Sequence, residues 1–165
     1  MAPLSYTGVG RELVARLKYR NARAVLPALA DAIAALVDPA TVDVVTWAPT
    51  SVARRRERGF DQARLLARAV ARRLHRPGRA LLQREPGPPQ TGRSKRDRIN
   101  GPKFTTTRNA PRRVLVVDDV ITTGATVLAA ADALRTAGAL VVKAAAAART
   151  PLKATDELSD AAGDG

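Results

Sequence analysis

Apolar residues recur along this chain with two kinds of spacing, and the switches between them mark the elements. Leu13, Val14 and Leu17 place a short basic amphipathic helix on residues 10–20, GRELVARLKYR. Ala24, Val25, Ala28, Leu29, Ala32, Ile33, Leu36 and Val37 recur at helical spacing and predict a second helix over 22–37, closed by Asp38-Pro39. Val42 to Ala48, VDVVTWA, is the first clear strand, stopped by Pro49. The loop opened by RRRERGF, Arg54 to Phe60, feeds a helix over 60–75. Its apolar face is Phe60, Ala63, Leu66, Ala67, Val70, Ala71 and Leu74. Pro77-Gly78 ends that helix, and Ala80 to Gln83 reads as a weaker strand.

Residues 84–110 lose periodicity and are rich in Pro, Gly and charge. A connection that long inside a compact domain is usually functional or disordered, which makes this stretch a mobile basic flap around PPQTGRSKRDRIN. A strand over 113–118, a helix over 124–137 ended by Gly138, and a strand from Leu140 to Ala148 follow. After Pro151, Asp156, Glu157, Asp160 and Asp164 punctuate an acidic tail without core residues, expected to be disordered over 151–165. The alternation predicts an α/β domain over 1–150 with a parallel sheet flanked by helices. In such sheets ligands sit at the carboxyl ends of the strands.

One stretch, VLVVDDVITTGAT from Val114 to Thr126, carries chemistry at such an end. Val114 to Val117 form a run suited to a strand covered on both faces, and Asp118 and Asp119 follow where that strand should stop. Thr122, Thr123, Gly124, Ala125 and Thr126 then form a small, hydroxyl-rich turn ahead of an Ala-rich helix. Backbone N–H groups at a helix N-terminus favour an anion, and a glycine lets main chain approach a phosphate closely. The carboxylates would repel a phosphate. They fit a hydrogen-bond donor or a cation, such as sugar hydroxyls or a bound metal. A ribose 5-phosphate makes both demands, whereas an ordinary helix cap accounts for one polar residue only.

Charge is the next constraint. The net charge is +13, but residues 54–113 alone carry +15 and the rest of the chain −2. That concentration implies a polyanionic partner, either a phosphate-rich small molecule or a nucleic acid. Phe60 and Phe104 are the only aromatic residues in the basic region, a poor supply for a base-stacking platform. The absence of Cys excludes a disulfide framework and thiolate metal sites. No apolar run reaches 18 residues and the start of the sequence has no apolar signal core, so a cytoplasmic protein without a membrane partner is expected. Gly8-Val9-Gly10 lacks the context of a dinucleotide fingerprint. Arg64, Arg68, Arg72 and Arg73 read as the wet face of a helix, His75 as a helix-end residue, and Trp47 as core.

Val114 to Thr126 resembles the 5-phosphoribosyl 1-diphosphate (PRPP) signature of type I phosphoribosyltransferases. LKYR around Lys18, the run Arg-Arg-x-Arg-Gly-Phe-Asp-Gln from Arg55 to Gln62, Gln90 with the later Asn100, and VVKAAAAART resemble the ComF-like (competence protein F) branch. The resemblance spans about residues 6–150. The Cys-rich, zinc-binding segment that many relatives carry ahead of LKYR has no counterpart in this sequence. The resemblance implies transfer of phosphoribose from Mg²⁺-PRPP to an acceptor, usually a nucleobase nitrogen, with release of pyrophosphate. Asp118 and Asp119 would then face the ribose and act catalytically, and Thr122–Thr126 would hold the 5-phosphate. Candidate pyrophosphate ligands are Thr50, Ser51, Arg58 and Gln62, together with Arg93, Lys95, Arg96 and Arg98 of the flap over 84–110. The magnesium would travel with PRPP rather than on a dedicated protein site. Residues 1–40, or the flap, would supply a hood over the acceptor, and a homodimer is common among such enzymes. Two other uses of the same fold stay open at this point: a nucleic-acid-associated protein in DNA uptake, contacting its partner through residues 54–113, and a PRPP sensor without turnover.

Overall fold

The computed structural model describes residues 4–5, 22–51, 56, 61–85 and 102–149. Strands β1 (Leu4–Ser5), β2 (Val44–Trp47), β5 (Arg113–Ile121) and β6 (Val141–Arg149) form one sheet in the order β1-β6-β5-β2, and all its pairings are parallel. Helix α1 (Ala22–Ala34) and helix α2 (Gln62–Arg73) pack on one face, and α3 (Ala125–Thr136) packs on the other. The α/β class expected from the alternation is therefore the class observed. Among the described residues no helix is long and apolar enough to cross a membrane.

Side-chain alternation in the strands assigns the two layers. Val45, Trp47, Leu115 and Val117 point into the core with Leu29, Ile33, Leu66 and Val70 of α1 and α2. Val44, Ala48, Val114 and Val116 pack instead with Ala130 and Leu134 of α3 and with Phe104. Every strand residue from Val114 to Val117 is buried, as a central parallel strand requires. Trp47, 6% exposed, is core. Helix α1 belongs to this packing, so this described part of the expected 1–40 hood covers the sheet. Arg64, Arg68 and Arg72 are exposed, while Arg73 reaches back to Asp31 of α1 at 2.7 Å.

Two sequence expectations need correction. The weak strand near 80–83 is not a member of the parallel sheet: β3 (Leu82–Arg84) pairs antiparallel with β4 (Phe104–Thr106) in a separate two-stranded ribbon. Residues 104–106 had been counted in the aperiodic loop 84–110, because three residues with one buried side chain give too little alternation to recognise. Leu82 and Phe104, one from each strand, dock the ribbon on the core. Second, the strand expected over 113–118 runs on to Ile121, since Val120 and Ile121 still pair with Ala148 and Arg149. The helix expected over 10–20, the flap residues 86–101 and the tail 151–165 lie outside the described residues.

The amino end of the sheet is heavily clasped. Asp43 accepts Arg113 Nε at 3.0 Å and the Arg113 backbone N–H at 2.9 Å, joining the starts of β2 and β5. A 3₁₀ turn at Pro39–Thr41 then receives Arg76 Nε on the Pro39 carbonyl (3.0 Å), the Arg113 guanidinium on the Ala40 carbonyl (2.6 Å) and Lys143 Nζ on the Thr41 hydroxyl (2.8 Å). The Arg113 guanidinium beside Asp43 holds its carboxyl below the usual carboxylate range.

Helices α2 and α3 end alike. Ala139 N–H donates to Leu134 O (3.0 Å) and Gly138 N–H to Arg135 O (2.9 Å); Arg76 N–H donates to Ala71 O (2.9 Å) and His75 N–H to Arg72 O (3.2 Å). Both sets are Schellman closures, which put one residue in the left-handed region. Gly138 takes it at a φ of 103°, but α2 uses His75 at 51°. The helix-end reading of His75 is thus its observed place. His75→Gly removes the steric cost of that conformation, and chemical denaturation is expected to show a gain of roughly 0.5–1 kcal/mol.

Candidate functional site

β5 outruns its neighbour. The pairing of β2 with β5 stops at Trp47↔Val117, whereas β5 continues through Asp118, Asp119, Val120 and Ile121 on β6 alone. On the β2 side that overhang is an open edge at the carboxyl end of the sheet. Its backbone donors need partners. Within the overhang the acidic pair accepts two consecutive backbone donors: Asp119 N–H donates to Asp118 Oδ1 (2.8 Å) and Val120 N–H to Asp119 Oδ1 (2.9 Å). Alternation is broken here, because Val117 and Val120 both pack with the α1–α2 core. The carboxylates therefore do not follow the strand, as the sequence suggested; they lie within its last four residues.

Their electrostatics are unusual. Both residues keep part of their surface open, yet the surroundings of Asp118 desolvate it strongly. Burial first, and then the charge of Asp119 beside it, push the Asp118 carboxyl up to about 8, with Asp61 acting in the same direction. Without ligand Asp118 thus favours its protonated form at neutral pH. An approaching cation or a set of hydroxyl donors would favour ionisation of Asp118.

The chain leaves β5 through Thr122 and Thr123, both exposed, and turns at Gly124 into α3. Gly124 is the N-cap residue in the left-handed conformation, φ 81°, and offers no side-chain cap. Ala125 N–H has a long bond to Thr123 Oγ1, 3.4 Å. The first turn of α3 contains no acidic residue. A helix start with uncapped N–H groups and hydroxyls beside it is an anion site in waiting. Because a methyl group at Gly124 would meet nothing within 4 Å, the glycine serves the backbone angle and an open approach, not tight packing.

Thr50 and Ser51 follow β2, three residues past Trp47, and are half-buried. Since β2 and β5 are paired neighbours, both loops leave from the carboxyl end of the sheet, that of β5 four residues further along. Thr50 N–H donates to Asp61 Oδ2 (3.4 Å), and Asp61 Oδ1 caps α2 through Arg64 N–H (3.2 Å). Gln62, the first residue of α2, is buried at 4% exposure. Arg58, Arg93, Lys95, Arg96 and Arg98 lie outside the described residues. The structure thus sets Asp118, Asp119 and Thr122–Thr126 in one continuous stretch, with Thr50 and Ser51 after the paired strand at the same end of the sheet. Asp61 and Arg84 were not picked out as site residues; an Asp one residue ahead of a helical run was the available signal for the first. Arg84, over the Phe104 ring at 5.8 Å, gave none.

A profile of the phosphoribosyl transferase domain matches residues 61–162, and the chain belongs to that family. It is also 29% identical over 136 residues to competence protein ComFC of Bacillus subtilis (strain 168), covering 79% of this chain and 55% of ComFC. The chain therefore spans about half the length of that curated relative. Among solved structures, a purine phosphoribosyltransferase from Pyrococcus horikoshii Ot3 aligns with a TM-score of 0.49 at 20% identity, over 76% of this chain and 74% of that one. The glutamine PRPP amidotransferase from B. subtilis, complexed with ADP and GMP, aligns with the same score at 26% identity, over 72% and 25%.

Two outcomes follow from the geometry. Gly124→Ala is expected to cost about 1 kcal/mol in chemical denaturation, from the backbone angle alone. For Asp118, a folded value raised above the unfolded one means that the fold binds the extra proton. Its contribution to stability is present at low pH and is lost as pH rises from about 4 to about 8. Asp118→Asn should remove that slope, leaving the variant more stable than wild type at pH 8 and equal to it near pH 4 in thermal melts.

Proposed function

We propose that the protein is a Mg²⁺-dependent phosphoribosyltransferase that takes PRPP as donor and a nucleobase-like acceptor, releasing pyrophosphate. One observation carries the reading: the overhang of β5 sets two adjacent carboxylates immediately before an uncapped, Gly-turned helix N-terminus. A ribose 5-phosphate has hydroxyls for the first and a phosphate for the second.

In the transfer, the bond from the anomeric carbon to pyrophosphate breaks while an acceptor nitrogen forms its bond to that carbon. Positive charge grows on the sugar and negative charge leaves with pyrophosphate. The protein's contribution is placement and charge. The N–H groups and hydroxyls of Thr122–Thr126 hold the 5-phosphate. Asp119, and Asp118 once ionised, stabilise the sugar cation. One of the two carboxylates can instead accept the proton an acceptor nitrogen gives up. Thr50 and Ser51 would receive the leaving pyrophosphate, with Arg58 and the flap basic residues as further candidates.

Magnesium fits the donor set. Mg²⁺ commonly takes one or two protein carboxylates and fills its shell from phosphates and water. Asp118 and Asp119 offer hard oxygens of that kind, and among the described residues no larger group of acidic or His side chains forms a cage. The ion would supply charge neutralisation on the diphosphate.

PRPP with Mg²⁺ is expected to raise the melting temperature, and PRPP without the metal to raise it less. Asp119→Asn should lower turnover by roughly 10²–10³, the scale for losing one transition-state stabiliser. Pyrophosphate release over a panel of nucleobases identifies the acceptor. No thermal shift at millimolar Mg²⁺-PRPP would sink the reading, and tight binding without release on any base would make the protein a sensor.

A further inference from the structure

The peptide unit between Pro49 and Thr50 is held at both ends by charged side chains from outside its loop. Its carbonyl oxygen accepts from the Arg84 guanidinium at 3.5 Å, and its N–H donates to Asp61 Oδ2 at 3.4 Å. Both contacts are at the long end of hydrogen-bond distances, so the hold is mainly charge on dipole. A cation at the oxygen and an anion at the N–H favour one orientation of the peptide. Turned over, the same peptide would set each charge against the wrong end of the dipole.

Both anchors are themselves fixed. Asp61 is in extended conformation as the N-cap of α2, with Oδ1 accepting Arg64 N–H at 3.2 Å. Arg84 belongs to β3 of the ribbon, and its guanidinium lies 5.8 Å from the Phe104 ring centroid. Phe104 is buried in the α3-side core. The first residues after β2 are thereby referenced to a helix on one side and to the ribbon on the other.

Capping alone does not call for a second oxygen, since Ser, Thr or Asn caps a helix as well. Nor does an anion belong beside a diphosphate on grounds of charge. Resting on the reading above, we infer that Asp61 is a positioning residue for the donor's diphosphate: through the Pro49–Thr50 peptide it fixes the loop that receives that group, with Arg84 as its counterpart. Asp61 touches no reacting atom in this role.

The sign of the effect makes the inference testable. Asp61→Asn and Asp61→Ser both keep an oxygen that can cap α2, and neither keeps an anionic acceptor for Thr50. Isothermal titration of wild type and both variants with inorganic pyrophosphate plus Mg²⁺, and separately with ribose 5-phosphate, separates the possibilities. The expected result is an unchanged Kd for ribose 5-phosphate, showing an intact fold and an intact Thr122–Thr126 turn. Pyrophosphate should bind roughly tenfold more weakly in both variants, the scale of one charge-assisted hydrogen bond. Unchanged or tighter pyrophosphate binding, as loss of a nearby negative charge alone would give, overturns the inference. So does an equal loss for both ligands, which marks a general disturbance. A wild-type protein that binds neither ligand fails the phosphoribosyltransferase reading instead.

Discussion

A parallel strand that runs past its neighbour must find partners for backbone groups on the side left open, and this constraint organises the molecule. β5 pairs with β2 only as far as Val117 and then extends four residues on β6 alone. Within that overhang the nearest acceptors for two backbone N–H groups are side chains of the strand itself. Asp118 and Asp119 fill that need at 2.8 and 2.9 Å. Doing so places two carboxyls side by side in a poorly solvated position, where both cannot be ionised at low cost. A backbone requirement and a chemical capability thus arise from the same pair. Burial favours the protonated form of Asp118, and a ligand bearing hydroxyls or a cation changes that balance.

The two ends of the sheet are built differently, which is what a binding site in this architecture needs. At the amino end, Arg76, Arg113 and Lys143 converge on the Pro39–Thr41 turn, and Arg113 also grips Asp43. These contacts fix the strands in register without occupying the other end. At the carboxyl end, Thr50 N–H and Ala125 N–H make only long contacts, each at 3.4 Å. The rigid end sets the spacing of the loops, and the open end uses it.

Much of this was legible in the sequence. The run Val114–Val117, the acidic pair and the Thr-Gly turn have a single reading as strand, end and helix start. Helical spacing of Ala and Leu gave α1, α2 and α3 to within a few residues. What escaped was set by pairing rather than by pattern. Nothing local tells that β5 continues beyond Asp119, because the two polar residues resemble a strand terminus until β6 is seen beside them. The ribbon of Leu82–Arg84 and Phe104–Thr106 joins segments 20 residues apart with one strand face buried, so neither half has enough alternation to declare itself. Asp61 falls inside the helix expected over 60–75, and its second oxygen on Thr50 is a tertiary fact. The acceptor's identity has no signature in any described residue.

The central claim is that the end of β5 and the start of α3 form one ribose-phosphate site. Amide NMR of the ¹⁵N-labelled protein titrated with ribose 5-phosphate tests it most directly. The account predicts saturable shifts centred on Thr123–Val127, with Asp118 and Asp119 moving in the same titration. Shifts centred elsewhere, for example on the groove between the β3–β4 ribbon and α3 lined by Lys103, Thr105 and Asp132, with the β5–α3 amides unmoved, would contradict it.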